Sequence, residues 1–181
     1  MPKTSYKKHI YNLGDGAIVE YIPGYAANSD QLFDELLNSV PWRKFTYEVN
    51  GQLVQSPRFM HIYNFDNKFP YLEKFRNRIQ RLTKKEFKYV VLNYYRDGND
   101  YIGYHPDREV ESGDIVVSVS LGATRRFALK HKFRENVRHV FMLADGDLMI
   151  LNEPAIKGAY KHSIPKMRNV GPRINMTFRE K

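Results

Sequence analysis

His105 and Asp107 stand two positions apart in the segment Tyr104-His105-Pro106-Asp107. Where a backbone is extended, residues i and i+2 project from one face, so this imidazole and this carboxylate can reach a single ion. A second imidazole, His162, follows 57 positions later, and it joins them if the two segments lie on neighbouring strands of a barrel. Two histidines and one carboxylate on one side of a metal leave the opposite coordination positions open, which is the ligand set of non-haem Fe(II) oxygenases. The chain has no cysteine, so disulfides, thiolate-bound metals and thiol nucleophiles are excluded. Among the other histidines, His131 and His139 lie in alternating strand-like runs and are read as surface or satisfied core residues. His9 falls in a segment read as a frayed terminus, and His61 carries no assignment.

A second group with chemical potential lies near the C-terminus. Arg173, Asn175, Thr177 and Arg179 alternate with Ile174, Met176 and Phe178, so one strand face is apolar and the other carries two guanidinium groups. Buried inward, such a pair is costly unless it meets anions, and a dicarboxylate suits the planar fork of arginine. With the polar face in water, the same pattern is an ordinary amphipathic strand.

These groups must be positioned by secondary structure. Ser29 and Asp30 can cap a helix that runs through Leu32, Phe33, Leu36 and Leu37 to Pro41, and a second helix from about Pro70 carries Leu72, Phe75, Ile79 and Leu82 on one stripe. Between them, Asn50-Gly51 joins two apolar-alternating arms and predicts a tight hairpin. From residue 89 onward, short β-type runs (YVVLNYY, IVVSVS, RRFALK, VRHVFML, DLMILN, INMTF) are punctuated by turns such as Asp97-Gly98 and Asp145-Gly146. The expected fold is α+β: a double-stranded β-helix, or jelly roll, with two supporting N-terminal helices, forming one domain over residues 1–181. Aromatic content of 14% suits a β-rich core.

The net charge of +9 favours encounter with polyanions, and it is spread over both halves of the chain. It is locally densest in Lys74, Arg76, Arg78, Arg81, Lys84, Lys85 and Lys88, which read either as a solvated helix face or as a phosphate-tracking stripe. The first residues lack the apolar core of a secretory signal, and no run reaches membrane-spanning length. A soluble intracellular protein without membrane contact is therefore expected, and a monomer is taken as its oligomeric state.

The ordered set Asn-x-Tyr, His-x-Asp, His and Arg-x-Asn-x-Thr-x-Arg, with the run RDGNDYIGYH, resembles the AlkB family of nucleic-acid dealkylases, most closely its eukaryotic DNA-repair branch. The motifs span residues 56–180, while the first 40 residues match weakly. The resemblance implies that His105, Asp107 and His162 bind catalytic Fe(II). It also implies that Asn93, Tyr95 and Arg173 hold the distal carboxylate of 2-oxoglutarate and that Arg179 fixes its metal-proximal end, with Asn175 and Thr177 completing the polar face. The implied reaction consumes O2 and 2-oxoglutarate and hydroxylates an alkyl group on a base nitrogen, as in 1-methyladenine or 3-methylcytosine. Collapse of the product then releases formaldehyde. The substrate is DNA, with RNA left open. The resemblance further implies that residues 43–68 form a nucleotide-recognition hairpin region, with Arg58 as a candidate for a phosphate, Tyr63 and Phe65 as candidates for an aromatic wall opposite His105, and Glu109 for the exocyclic group of the base. Duplex-specialised relatives carry an aromatic wedge where this chain has Asn50, which predicts weaker duplex repair. The alternative readings are an oxygenase acting on a protein side chain and a nucleic-acid-binding module with a vestigial core.

Overall fold

The computed structural model describes residues 6–66 and 68–180. In chain order, strands β1 (His9–Gly14) and β2 (Ala17–Ile22) precede helix α1 (Ser29–Ser39), the hairpin β3 (Thr46–Val49) and β4 (Gln52–Gln55), β5 (Phe59–Asn64) and helix α2 (Pro70–Thr83). There follow β6 (Tyr89–Tyr95), β7 (Ile102–His105), β8 (Ile115–Gly122), β9 (Arg125–His131), β10 (Arg138–Leu143) and β11 (Leu148–Asn152). A π-helical turn (Pro154–Gly158), β12 (Tyr160–Ile164) and β13 (Arg173–Arg179) complete the order. A seven-stranded sheet, β1-β2-β11-β8-β13-β6-β5, faces a four-stranded one, β10-β9-β12-β7, and β3-β4 forms a separate two-stranded ribbon. This is the expected jelly roll, with α1 and α2 supporting the larger sheet.

Strand alternation divides the interior into two cores. Ile174, Met176 and Phe178 of β13 join Val117, Val119, Val90 and Leu92 in packing against Leu32, Leu36, Leu72, Phe75 and Ile79 of the helices. The opposite faces of the same strands look toward the smaller sheet, where Val116, Met149 and Leu151 meet Phe127, Leu129 and Tyr160. Every residue of β13 is buried as a result, including its arginines.

Several sequence expectations change in detail. The helices do not lead the fold, because β1 and β2 come first and extend the larger sheet beyond β11. His9 therefore opens a paired strand opposite Tyr21 instead of fraying. The exposed, irregular face of β1, with a register shift between Asn12 and Gly14, carries no clear period-two signal. Asn28, not Ser29, occupies the α1 N-cap, and the Ser29 hydroxyl donates to Asp145 Oδ2. The hairpin forms as read, with positive φ at Asn50 (51°) and Gly51 (78°). The basic stripe of α2 is partly engaged. Arg76 lies over Phe65 and pairs with Glu73, Arg78 donates to Tyr6 and to the Tyr25 carbonyl, and Lys85 pairs with Glu180. Among the described residues no helix is long and apolar enough to cross a membrane.

The β6–β7 connection is held close to the segment before β13. Met167 N–H donates to Gly98 O at 3.0 Å, and a Cβ at Gly98 would lie 1.5 Å from the Met167 carbonyl oxygen. Since backbone cannot yield as a side chain does, Gly98→Ala should destabilise the protein by about 1–3 kcal/mol. A urea titration of the variant is expected to show a lower midpoint with an unchanged slope. A midpoint equal to wild type would show that this approach is not a constraint on the fold.

Candidate metal centre and co-substrate cavity

Antiparallel pairing of β12 with β7 sets His162 directly opposite His105. The two rings lie 4.2 Å apart between centroids, and the Nε2 atom of each is 3.6 Å from Asp107 Oδ1. The ligand atoms of all three residues fall within 4.8 Å of one another, so the group could hold a metal ion. Asp107 reaches this point differently from the sequence expectation. β7 ends at His105, and Asp107 lies in the following loop, its N–H donating to Ile156 O in the π-helical turn. Pro106 has no N–H to continue a ladder, which accounts for the strand ending there.

Each member of the triad is oriented by a neighbour. His105 Nδ1 lies 2.9 Å from Gly103 O, and a carbonyl can only accept, so Nδ1 is the donor and Nε2 is the ring nitrogen turned toward Asp107. His162 is stacked on Phe127 with centroids 5.6 Å apart. Burial, then the adjacent His105 and Arg179, push its pKa well below the usual histidine value, keeping the ring neutral. Asp107 Oδ2 lies 2.8 Å from Arg179 Nη1, leaving Oδ1 toward the imidazoles, and Glu109 Oε1 lies 2.9 Å from the same nitrogen. These are close charge contacts rather than aligned hydrogen bonds: among the described residues Arg179 Nε and Nη1 and Asp107 Oδ2 have no hydrogen-bond partner.

The triad opens onto a cavity of about 160 Å³ between the sheets, lined by Asn93, Tyr95, Asn175, Thr177, Arg179, Arg58 and apolar residues including Val116, Phe127 and Ile156. Arg173 lies behind one end of this cavity with no solvent exposure, its Cζ 5.5 Å from the Tyr95 ring centroid. Its Nη2 donates to Ser120 Oγ at 2.8 Å, while Nε and Nη1 have no hydrogen-bond partner among the described residues. Burial pushes its pKa down to about 10, with Tyr95 opposing and Arg125 adding to the fall. Asn175 donates to Ser118 Oγ and Val119 O, and Thr177 donates to Asn175 Oδ1. A larger groove of about 950 Å³, lined by Asp97, Arg126, Lys166 and Arg168 among others, is open to solvent and contains none of these residues.

The residues expected to meet a base divide into two groups. Arg58 lines the cavity, but its Nε is turned inward to donate to Asn93 Oδ1 at 2.7 Å instead of outward to a phosphate. Glu109 sits beside the triad through Arg179. Tyr63 and Phe65 must be withdrawn as an aromatic wall. Tyr63 is 3% exposed, with its hydroxyl donating to Glu73, and Phe65 stacks on Phe178 beneath the Arg76 guanidinium, both on the helix side of the sheet. In the β5–β6 register it is Met60, Ile62 and Asn64 that stand opposite Asn93, Val91 and Tyr89, and so share the cavity's face of the sheet. Both faces of FMHIYN are similarly apolar, so alternation alone could not choose between them. Ser118 and Ser120 escaped the sequence reading, although their spacing within the apolar run IVVSVSLG marks one face as polar.

Comparison with known proteins places this geometry. Residues 55–179 match the family model of the 2OG-Fe(II) oxygenase superfamily. Mouse "DNA oxidative demethylase ALKBH2" is 40% identical over 178 residues, covering 90% of this chain and 70% of that protein. Human "alpha-ketoglutarate-dependent dioxygenase alkB homolog 3" is 29% identical over 182 residues, covering 87% and 64%. The corresponding bovine ALKBH2 protein is covered to 60%, so this chain spans roughly two thirds of the length of such relatives. The solved structure of OsALKBH1 superposes with a TM-score of 0.63 at 13% identity, covering 96% of this chain and all of that one, which shows the shared fold. The chain belongs to the 2OG-Fe(II) oxygenase superfamily, among its AlkB homologues.

Proposed function

We propose that this chain is an Fe(II)- and 2-oxoglutarate-dependent dioxygenase that oxidatively removes methyl groups from base nitrogens in DNA. The observation that carries the reading is that one small cavity is lined by the His105–Asp107–His162 cluster and by Asn93 and Tyr95, with the buried Arg173 against the Tyr95 ring and its Nε and Nη1 without a hydrogen-bond partner among the described residues. The donor set fits Fe(II), and the two free donor groups of Arg173 fit a carboxylate. The names of the mouse and bovine relatives, DNA oxidative demethylases, favour a nucleobase over a protein side chain as substrate.

In this reading, His105 Nε2, His162 Nε2 and Asp107 Oδ1 hold the metal. When bound, iron supplies the oxygen chemistry that couples decarboxylation of 2-oxoglutarate to hydroxylation of the alkyl carbon. The protein's own residues bind and orient. Arg173, Tyr95 and Asn93 receive the distal carboxylate, and Arg179 secures both Asp107 and the end of the co-substrate near the triad. Asn175 and Thr177 direct their donors within the protein, so their part is to brace the strand that carries both arginines. Val116, Phe127 and Ile156 give the cavity an apolar stretch of wall. At the mouth, Glu109 accepts from the exocyclic amine of the base, and Ile62, Asn64 and Tyr89 provide the wall facing His105. A soluble intracellular monomer with net charge +9 would meet polyanions by long-range attraction, and RNA presenting the same base is a second substrate class.

The test is anaerobic loading with Fe(II) and 2-oxoglutarate, followed by oxygen and mass spectrometry of oligonucleotides bearing 1-methyladenine or 3-methylcytosine. The expected products are the unmodified base, succinate and formaldehyde. His105→Ala, Asp107→Ala and His162→Ala should each abolish turnover with an unchanged circular dichroism spectrum. Near-normal turnover in any of them would remove that residue from the metal site.

The hairpin gives a further expectation about substrate form. It projects from beside cavity-lining Arg58 and Met60, and its tip is Asn50-Gly51. Extruding a base from a duplex costs a few kcal/mol of stacking, which an inserted apolar side chain partly offsets. A polar tip offers little such compensation. At fixed salt, kcat/KM should therefore be higher on single strands than on duplexes with the same lesion, and Asn50→Phe should raise the duplex value selectively. Equal duplex repair by the wild type would show that another hairpin residue, such as exposed Tyr47 or Leu53, fills the stack.

A further inference from the structure

Arg125 opens β9 and is fully buried, yet it forms no ion pair among the described residues. Its Nη1 donates to Asp97 O at 2.9 Å, and its Nη2 donates to Asp100 O at 2.8 Å and Pro165 O at 2.9 Å. The three carbonyls belong to the connection between β6 and β7 and to the residue after β12. One guanidinium thus ties together the ends of the strands that carry Asn93 and Tyr95, His105, and His162. Its Cζ lies 5.3 Å from the Tyr95 ring centroid, against 5.5 Å for Arg173, so two buried cations share one aromatic ring. Tyr95 lines the cavity and Arg125 does not.

Three neutral carbonyls satisfy Nη1 and Nη2 but not Nε, and burial pushes the pKa of the group down, outweighing the Asp100 and Asp97 carboxylates that favour the cation through space. Two cations at the same buried end repel each other and favour an anion arriving there, since the effective dielectric is lower than in water. Resting on the co-substrate reading above, we infer that Arg125 is a positioning residue for 2-oxoglutarate: without touching it, it holds Tyr95 in place and adds the second positive charge that makes this end of the cavity select a dicarboxylate. The clamp and the charge are separable. Lysine at this position keeps the charge but loses the fork, whereas glutamine loses both.

The measurement is anaerobic titration calorimetry of the full chain loaded with Mn(II), using 2-oxoglutarate and 2-oxovalerate, which has the same chain length but no distal carboxylate. Arg125→Gln is expected to weaken 2-oxoglutarate binding at least tenfold while changing 2-oxovalerate binding less than twofold. Arg125→Lys should keep most of the preference for the dicarboxylate, although thermal melts should show both variants destabilised by loss of the clamp. Arg125→Met, similar in length and uncharged, takes the place of the glutamine variant if that protein does not fold, with the same expected collapse of preference. Parallel weakening of both acids, or unchanged 2-oxoglutarate binding in an uncharged variant, would overturn the role. A wild-type protein that binds neither acid would instead overturn the co-substrate reading on which it rests.

Discussion

The placement of arginine on the inward face of β13 is the constraint on which the rest depends. β13 lies in the interior of the larger sheet, between β8 and β6, so its side chains have no route to solvent on either face. Ile174, Met176 and Phe178 satisfy one face by packing under the helices. The other face must find partners for Arg173 and Arg179 or leave buried charge uncompensated, at a cost of several kcal/mol per ion. Arg179 meets Asp107 and Glu109, and Arg173 has Ser120 and the Tyr95 ring but no carboxylate among the described residues. The triad end of the cavity is therefore charge-compensated by the fold itself, while the far end remains electropositive.

The same asymmetry organises the polar ladder between the arginines. Asn175 and Thr177 bond to each other and to β8, which stiffens the wall without adding charge. Across the cavity, the π-helical turn brings Ile156 O to the Asp107 N–H. A π turn inserts one extra residue per turn and commonly marks functional sites. Here it supports Asp107, the carboxylate of the candidate metal cluster, which lies beyond the end of β7.

Legibility in the sequence followed the strength of the local signal. The alternation in Arg173–Arg179, the Asn50-Gly51 turn and the apolar stripe of α2 each specify an element by their own chemistry, and each forms as read. The triad residues were identifiable by type and spacing, but the route by which Asp107 joins them depends on Pro106 and on a turn almost fifty residues away. Tyr63 was misread because its strand is apolar on both sides, so only pairing with β6 decides which side faces the helices. β1 was missed because an exposed edge strand needs little apolar patterning. Arg125 gave no signal at all: its three partners are backbone carbonyls, and any residue type could supply them.

The position of β13 also governs the order in which the molecule can assemble. It pairs with β6 and β8, both far earlier in the chain, and until it arrives they have no bond to each other through it. Such long-range pairings form slowly because chain entropy is lost before contacts compensate it. Until β13 is in place, a partly folded chain exposes the apolar edges of β6 and β8 and part of the helix-packing face. β13, which walls the cavity, also closes this aggregation-prone interval, so a substitution that slowed its insertion would lower the yield of folded protein even with the His105, Asp107 and His162 cluster intact.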